Sequence, residues 1–194
     1  WKEQTPTIVL CLPQSVLEHA HTQKRKKSIF SKLSFIGYCA FENTLIESIT
    51  IPKKVVKIDD CAFYNCKELK TVDFENDSIL FSFGKNVFLG TKIERIKFQR
   101  SLRILKGQFY VKEIDILTTP DNNGLQWIDN VLYGKSDLVI DSYDTIIYAK
   151  KSIENVLIPS NIKYIEPYCF SKCTSLKSIT FSPYSDLRFI GSYA

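Results

Sequence analysis

The apolar residues of this chain follow a block of sequence that is repeated several times, and not one uniform helical or strand period. The clearest block, IDDCAFYNCKELKTVDF (58–74), has a Phe in a short turn and then an apolar–x–x–apolar–x–apolar segment. Similar blocks are IGYCAFENTLIESITIP (36–52), FGKNVFLGTKIERIKF (83–98), ILKGQFYVKEIDI (104–116) and IEPYCFSKCTSLKSITF (165–181). One block cannot bury its apolar face alone, whereas stacked blocks can. The pattern therefore predicts a solenoid.

The spacing of the anchor phenylalanines supports a repeat. Phe41, Phe63, Phe88 and Phe109 follow one another at intervals of 22, 25 and 21 residues, and Phe170 anchors the late copy. Each block ends in a segment whose apolar residues alternate, which predicts a strand with one buried face. The predicted strands are 46–51, 69–74, 93–98, 111–116, 153–158 and 176–181. We predict an α/β-type solenoid with a parallel sheet on one face.

The repeat resembles the BspA-type leucine-rich repeat. IPKKVVKIDDCAFYNCKELKTVDF (51–74) and IPSNIKYIEPYCFSKCTSLKSITF (158–181) carry the resemblance best, and it covers 35–116 and 153–194. It implies a non-enzymatic protein-recognition solenoid, at the cell surface or secreted, that binds a host or matrix protein in adhesion. The alternative is a cytoplasmic scaffold or structural subunit of a larger assembly. The repeats do not discriminate between the two.

Two regions depart from the repeat. We expect 1–34 to hold a partial repeat strand and an irregular basic insert, and 35–117 to be the first repeat block. The region 118–152 is predicted as an inserted loop and antiparallel meander, with strands at 127–133, 138–140 and 145–149. The second repeat block, 153–194, is cut within a repeat, so we expect further chain or a neighbouring partner to cover this end. The meander carries the chain between blocks, or it presents aromatic anchors to a partner: Trp127, Tyr133, Tyr143 and Tyr148.

The outward positions of successive strands should align as polar columns. One column contains Asp73, Lys97 and Asp115, so opposite charges are predicted on adjacent strands. This face is either a solvated surface or a binding surface for protein, as in other repeat proteins. The candidate binding residues are Thr71, Asp73, Arg95, Lys97, Glu113, Asp115, Asn155, Ser178 and Thr180.

Charge and composition narrow the classes of partner. The chain has 194 residues and a net charge of +5, and residues 24–27 (KRKK) supply nearly all of the excess. That run is either a solvated loop or an anion patch. Because the sheet face mixes both signs, we expect no nucleic-acid partner. No run of 18 apolar residues exists in the sequence, so no membrane-spanning segment is expected.

Candidate chemistry is sparse in this sequence. Most of the six cysteines recur at repeat positions, which predicts free core thiols, although a bridge between Cys39 and Cys61 in adjacent coils stays open. Cys11, His19 and His21 form a weak metal candidate on the irregular insert. No HExxH, phosphate-binding glycine motif or G-x-S-x-G occurs, so we expect no enzyme, no catalytic residue, no metal and no cofactor.

Overall fold

The computed structural model of this chain describes residues 33–106, 111, 113–116, 124–137 and 139–194. The chain divides into two compact units, Trp1–Ile93 and Glu94–Ala194. Within unit 1 the strands are β1 (Phe35–Ile36), β2 (Ser48–Ile51), β3 (Lys57–Ile58), β4 (Thr71–Phe74) and β5 (Ser82–Phe83). Within unit 2 they are β6 (Arg95–Phe98), β7 (Ile104–Leu105), β8 (Glu113–Ile116), β9 (Leu125–Ile128), β10 (Val131–Gly134), β11 (Thr145–Ala149), β12 (Asn155–Ile158), β13 (Tyr164–Ile165), β14 (Ser178–Phe181) and β15 (Phe189–Ile190).

Unit 1 is a stack of β-solenoid coils. Each coil contributes a two-residue strand, a turn that carries the anchor Phe, and a four-residue strand. The short strands β1, β3 and β5 pair in parallel, as do the long strands β2 and β4, where Ile49 aligns with Val72. The long strands are the final four residues of the predicted segments. Pro52 directly follows β2, where its missing N–H ends the ladder.

The core of unit 1 is built from the inward positions of these coils. Phe41, Phe63 and Phe88 are buried and form a continuous stack, with ring centroids 5.0 Å and 5.6 Å apart along the series. Ile36 on β1 and Ile58 on β3 are also buried and belong to this core. The predicted anchors are therefore confirmed here, whereas Phe109 lies outside the described residues.

The α/β label was wrong, because the described residues contain no helix. The reason lies in the turn around each anchor Phe, where the residues two before and two after it adopt positive φ. In one coil these are Cys39 (φ 51°) and Asn43 (φ 59°), and in the next they are Cys61 (φ 58°) and Asn65 (φ 56°). A left-handed residue at every fourth position prevents a continuous right-handed helix.

The turns are held instead by hydrogen bonds between coils. The N–H groups of Cys39, Phe41 and Asn43 donate to carbonyls of the next coil at 3.2, 2.7 and 2.9 Å. Asn65 Nδ2 also donates to Asn43 Oδ1 at 2.5 Å, which extends the ladder into the side chains. The next residue in this column is Gly90 (φ 80°), where a Cβ would approach Asn65 Oδ1 to 3.1 Å.

Unit 2 combines coils with a hairpin. The long strands β6 and β8 pair in parallel, as do β12 and β14. A five-stranded sheet has the order β15-β13-β11-β10-β9, with β9 and β11 antiparallel to β10. The predicted single strand 127–133 was wrong, because Asp129 (φ 46°) and Asn130 (φ 67°) form a tight turn between β9 and β10. Asp and Asn tolerate this left-handed conformation and are favoured in such hairpin turns.

The last strand of the predicted meander belongs to the coil pattern. β11 pairs in parallel with β13, and Ala149 N–H donates to the Cys169 carbonyl at 3.1 Å, as anchor residues do in unit 1. The predicted strand at 138–140 was wrong for 139–140, which form a turn and bend. The domain boundaries at 117/118 and 152/153 stay a prediction. Across the part of the chain that the structure describes, no helix has the length and apolar character needed to span a bilayer.

Candidate functional site

The predicted binding face of unit 1 is exposed. Thr71 and Asp73 point outward on β4, and Val72 between them is buried. In register with them on β2 are Ser48 and Thr50, which are also exposed. The alternation follows from strand geometry, since successive side chains point to opposite sides of the sheet. The column arrangement is therefore confirmed for these two strands, and binding by it stays a prediction.

The predicted residues of unit 2 fall in two separate places. Arg95 and Lys97 are exposed on β6, on either side of the buried Ile96. Their backbone partners on β8 are Glu113 and Asp115, as predicted, whereas the side chains of these two acids lie outside the described part of the chain. The proposed adjacency of Asp73 and Lys97 joins the two units and stays a prediction.

The second place is the β12–β14 pair, which holds the other three predicted residues. Asn155, Ser178 and Thr180 are exposed, and Ser178 Oγ donates to Asn155 Oδ1 at 2.7 Å. Thr180 Oγ1 donates to the Val156 carbonyl at 3.3 Å. The Ser178–Asn155 contact joins the side chains of register partners on adjacent strands, which is how polar columns stabilise a sheet, whereas Thr180 bonds the main chain of β12.

Ion pairs between neighbouring coils flank the exposed polar faces of the long strands. Lys70 Nζ lies 3.8 Å from Glu47, Lys92 Nζ lies 2.7 Å from Glu68, and Lys177 Nζ lies 2.7 Å from Glu154. The hydrogen bond and charge of Lys92 lower the pKa of Glu68. All three pairs are exposed, so solvent and salt screen them and each contributes little to stability. Their main consequence is that this part of the described surface carries charges of both signs.

A groove lies between the β9–β10 hairpin and the β12–β14 pair. Its volume is about 410 Å³. The hairpin supplies one wall through Ile128, Asp129 and Tyr133, and β12 supplies the other through Asn155 and Leu157. Ser178 and Thr180 also line it, so this groove brings together all three predicted residues of the second repeat block.

The side chains that the sequence did not identify are on the hairpin and on β12. Asp129 and Ile128 are exposed beside the groove, and Leu157 is 61% exposed. Burial, together with the charge of Asp129, raises the pKa of the Tyr133 phenol. The Asp129–Asn130 dipeptide was the available signal, since it marks a hairpin turn between apolar segments.

The proposed aromatic anchors differ in how deeply their side chains are buried. Tyr148 is 2% exposed and packs edge-to-face against Trp127, with centroids 6.3 Å apart, so it is a core residue and not an exposed anchor. Tyr133 is also buried, at 5% exposure, and contributes to the groove wall. Trp127 is half-buried under Lys150 Nζ, which lies 5.3 Å from its ring centroid. Tyr143 lies in the same way under Lys135, at 5.5 Å.

The five cysteines of the described residues are free thiols. Cys66, Cys169 and Cys173 are buried, as expected of core thiols, whereas Cys39 and Cys61 are half-buried. Cys66 Sγ donates to the Phe41 carbonyl at 2.9 Å and lies 3.2 Å from Thr44 Oγ1. Burial and a hydrogen bond to Glu42 raise the pKa of Cys39 to about 11. Raised thiol pKa values give little thiolate at neutral pH, which makes these side chains weak nucleophiles.

No group of three His, Cys, Asp or Glu side chains suited to a metal ion occurs among the described residues. The candidate Cys11, His19 and His21, and the basic run at 24–27, lie outside those residues. The exposed polar columns and the groove are therefore the candidate recognition surfaces among the described residues.

Comparison with known proteins agrees with the geometry. A family model described as the BspA type leucine rich repeat region matches six copies over 34–146 and 142–194. The crystal structure of the pneumococcal vaccine antigen PcpA is similar in fold, with 22% identity and a TM-score of 0.62 over 84% of this chain. Leucine-rich repeat proteins from Eubacterium ventriosum (17% identity, TM-score 0.41) and Bacteroides ovatus (20%, 0.43) also match.

The matches cover 78% of this chain for the Eubacterium protein and 84% for the Bacteroides protein. This chain spans 40% of the PcpA chain, 58% of the Eubacterium chain and 44% of the Bacteroides chain. No curated protein matches its sequence.

Proposed function

The chain belongs to the BspA-type leucine-rich repeat family, and from this membership we propose that it is a non-enzymatic module that binds other proteins. One observation carries the proposal: ordered columns of polar side chains face solvent on strands whose alternate residues are buried. Such columns have the spacing of a sheet and are held by the core beneath them, so a partner meets a preorganised surface.

We further propose that the partner is a host or matrix protein and that the module acts in adhesion at the cell surface or after secretion. The similarity in fold to a pneumococcal vaccine antigen supports this proposal. Mixed charge on the faces favours specific recognition of protein over indiscriminate attachment to polyanions.

A cytoplasmic scaffold is the second candidate, and the free cysteines favour it. Five free thiols among the described residues are typical of a reducing compartment. Peptide mapping of the natively expressed protein distinguishes the two candidates, because disulfides or a signal-peptide cleavage site would support secretion.

Biolayer interferometry on the full chain tests binding directly. The probes are fibronectin, laminin and collagen, and the variants are Asp73→Arg on β4 and Thr180→Arg on β14, each exposed and outside the core. The matched control is Lys54→Glu, an exposed charge change in the loop after β2. We expect at least one probe to bind and one face variant to weaken it tenfold while the control does not. Binding that no face variant alters would contradict the assignment to the strand faces, and no binding to any probe would contradict matrix adhesion.

A further inference from the structure

The β12 strand has an open edge beside the groove. Ser178 N–H donates to the Glu154 carbonyl, and Ser182 N–H donates to the Ile158 carbonyl at 2.9 Å. The even-numbered residues along β12 therefore direct their backbone groups toward β14. Alternate residues of a strand direct theirs to the opposite side, so Asn155 and Leu157 point their N–H and C=O groups away from β14. Within the part of the chain that the structure describes, β12 pairs with β14 alone.

The hairpin explains why this edge is open. The long strands β2 and β4, β6 and β8, and β12 and β14 come from consecutive coils. The chain from β8 to β12 is at least twice as long as the chain between the strands of each pair. The intervening described residues form β9, β10 and β11, which belong to the other sheet. No described strand therefore pairs with the other edge of β12, and the groove, which hairpin residues line together with β12 and β14, borders this strand.

The chemistry of the groove suits one kind of occupant. Ile128, Ile153 and Leu157 offer apolar contact, and Asp129 is the single charged side chain among the described groove-lining residues. Asp129 and Tyr133 line the same groove, and burial together with the charge of Asp129 raises the pKa of the Tyr133 phenol. The volume of about 410 Å³ is in the range of clefts that take a drug-sized ligand, which suits a short peptide segment better than a folded domain.

We propose that this groove binds an extended peptide segment of a partner protein as an added β-strand along β12, with a Lys or Arg of the peptide on Asp129. The N–H and C=O groups of Asn155 and Leu157 supply the main-chain hydrogen bonds, and alternate apolar residues of the peptide pack against Ile128 and Leu157. Affinity then comes from main-chain bonds and specificity from the side chains, as in other strand-addition complexes. The inference rests on the proposed function, because it specifies how the module engages a protein.

A peptide selection tests the inference on the full chain. The probe is a displayed library of random 12-residue peptides, selected on the wild-type chain and in parallel on Leu157→Pro. Proline removes the N–H that points into the groove, and it is tolerated where an edge N–H makes no ladder bond. We expect wild-type selection to enrich peptides with alternating β-branched residues and one basic residue, and we expect Leu157→Pro not to enrich them.

The enriched peptide is then synthesised with one N-methyl group at each position in turn, a test that does not depend on the folding of any variant. We expect N-methylation at every second residue of the peptide to weaken binding tenfold or more, and N-methylation at the residues between them to change it little. The reason is that only alternate residues of an added strand direct their N–H groups toward β12. Asp129→Asn should weaken binding three- to tenfold and reduce its salt dependence. The variant should keep the turn, because Asn tolerates the positive φ of this position. The matched control is Asp141→Asn, an exposed acid outside the groove, which should change nothing.

Three results would each overturn the inference. They are equal losses of affinity on N-methylation at odd and even peptide positions, binding that Asp129→Asn does not change, and the same peptide enrichment on Leu157→Pro as on the wild-type chain. These failures are distinguishable from failure of the proposed function. If a matrix protein binds and Asp73→Arg weakens that binding, the module still recognises protein, and only the strand-addition mode is refuted.

Discussion

The phenylalanine stack of unit 1 allows a stability prediction to be worked from the structure. Phe63 is fully buried, and its ring stacks on Phe41 at 5.0 Å and on Phe88 at 5.6 Å. Phe63→Leu keeps most of the buried apolar area but removes both ring contacts. Because an aromatic pair contributes about 0.5–1.5 kcal/mol beyond its buried area, losing two should lower the free energy of unfolding by about 1–3 kcal/mol. Phe63→Ala also leaves a cavity and should cost about 3–5 kcal/mol.

Guanidinium unfolding followed by far-UV circular dichroism measures these differences. The matched control is Phe81→Leu, because Phe81 is 39% exposed and the same exchange there should cost less than about 0.5 kcal/mol. A double-mutant cycle with Phe41→Leu isolates the contact between the first two rings, and we expect a coupling of about 0.5–1.5 kcal/mol.

Two results would refute this reasoning. If Phe63→Leu cost no more than Phe81→Leu, the stack would contribute nothing beyond buried area. If the double-mutant coupling were near zero while both single changes were costly, the rings would act through separate contacts. Either result would show that the coils are held by their strands and turns rather than by the continuous aromatic column.

Three further predictions concern separate features. Asp144 is buried and accepts hydrogen bonds from Ser136 N–H at 2.8 Å and Ser136 Oγ at 2.7 Å; although burial opposes ionisation, the net effect lowers its pKa below 3.8. The stability that this carboxylate contributes is therefore present above pH 3.8 and lost as the pH falls through its folded-state pKa. In acid titrations of thermal stability, Asp144→Asn should flatten this loss and should cost about 1.5–3 kcal/mol at neutral pH, and an unchanged acid profile would contradict the assignment. Tyr184 is 97% exposed at φ 58°, so Tyr184→Gly should raise the free energy of unfolding by about 0.5–1 kcal/mol in the same denaturant assay, whereas a decrease would show that its ring is held by contacts. In native protein treated with iodoacetamide at pH 8 and mapped by peptide mass, the half-buried Cys39 and Cys61 should react slowly, and the buried thiols should react only on unfolding: Cys66, Cys169 and Cys173. Early labelling of a buried thiol would mean that its coil opens locally.

The sequence by itself determined the repeat and the direction of its side chains. The alternation in TVDF (71–74) places Val72 inward and Thr71 and Asp73 outward, because a strand has a period of two residues. The anchor spacing identified Phe41 and Phe63 as equivalent positions of successive repeats, and their rings stack in the structure because equivalent positions of consecutive coils come together. These conclusions need only local periodicity and the requirement that apolar faces be buried.

Only the tertiary structure decided the conformation of the turns and the location of the groove. Cys39 and Cys61 carry no sign in the sequence of a left-handed backbone, and the ladder between coils holds them there and excludes a helix. Asp129 and Leu157 are far apart along the chain and line the same groove because the β9–β10 hairpin joins the five-stranded sheet, so that among the described strands β12 pairs with β14 alone. Pairing between distant segments depends on which edges remain unoccupied after the coils have stacked, and no local pattern encodes that.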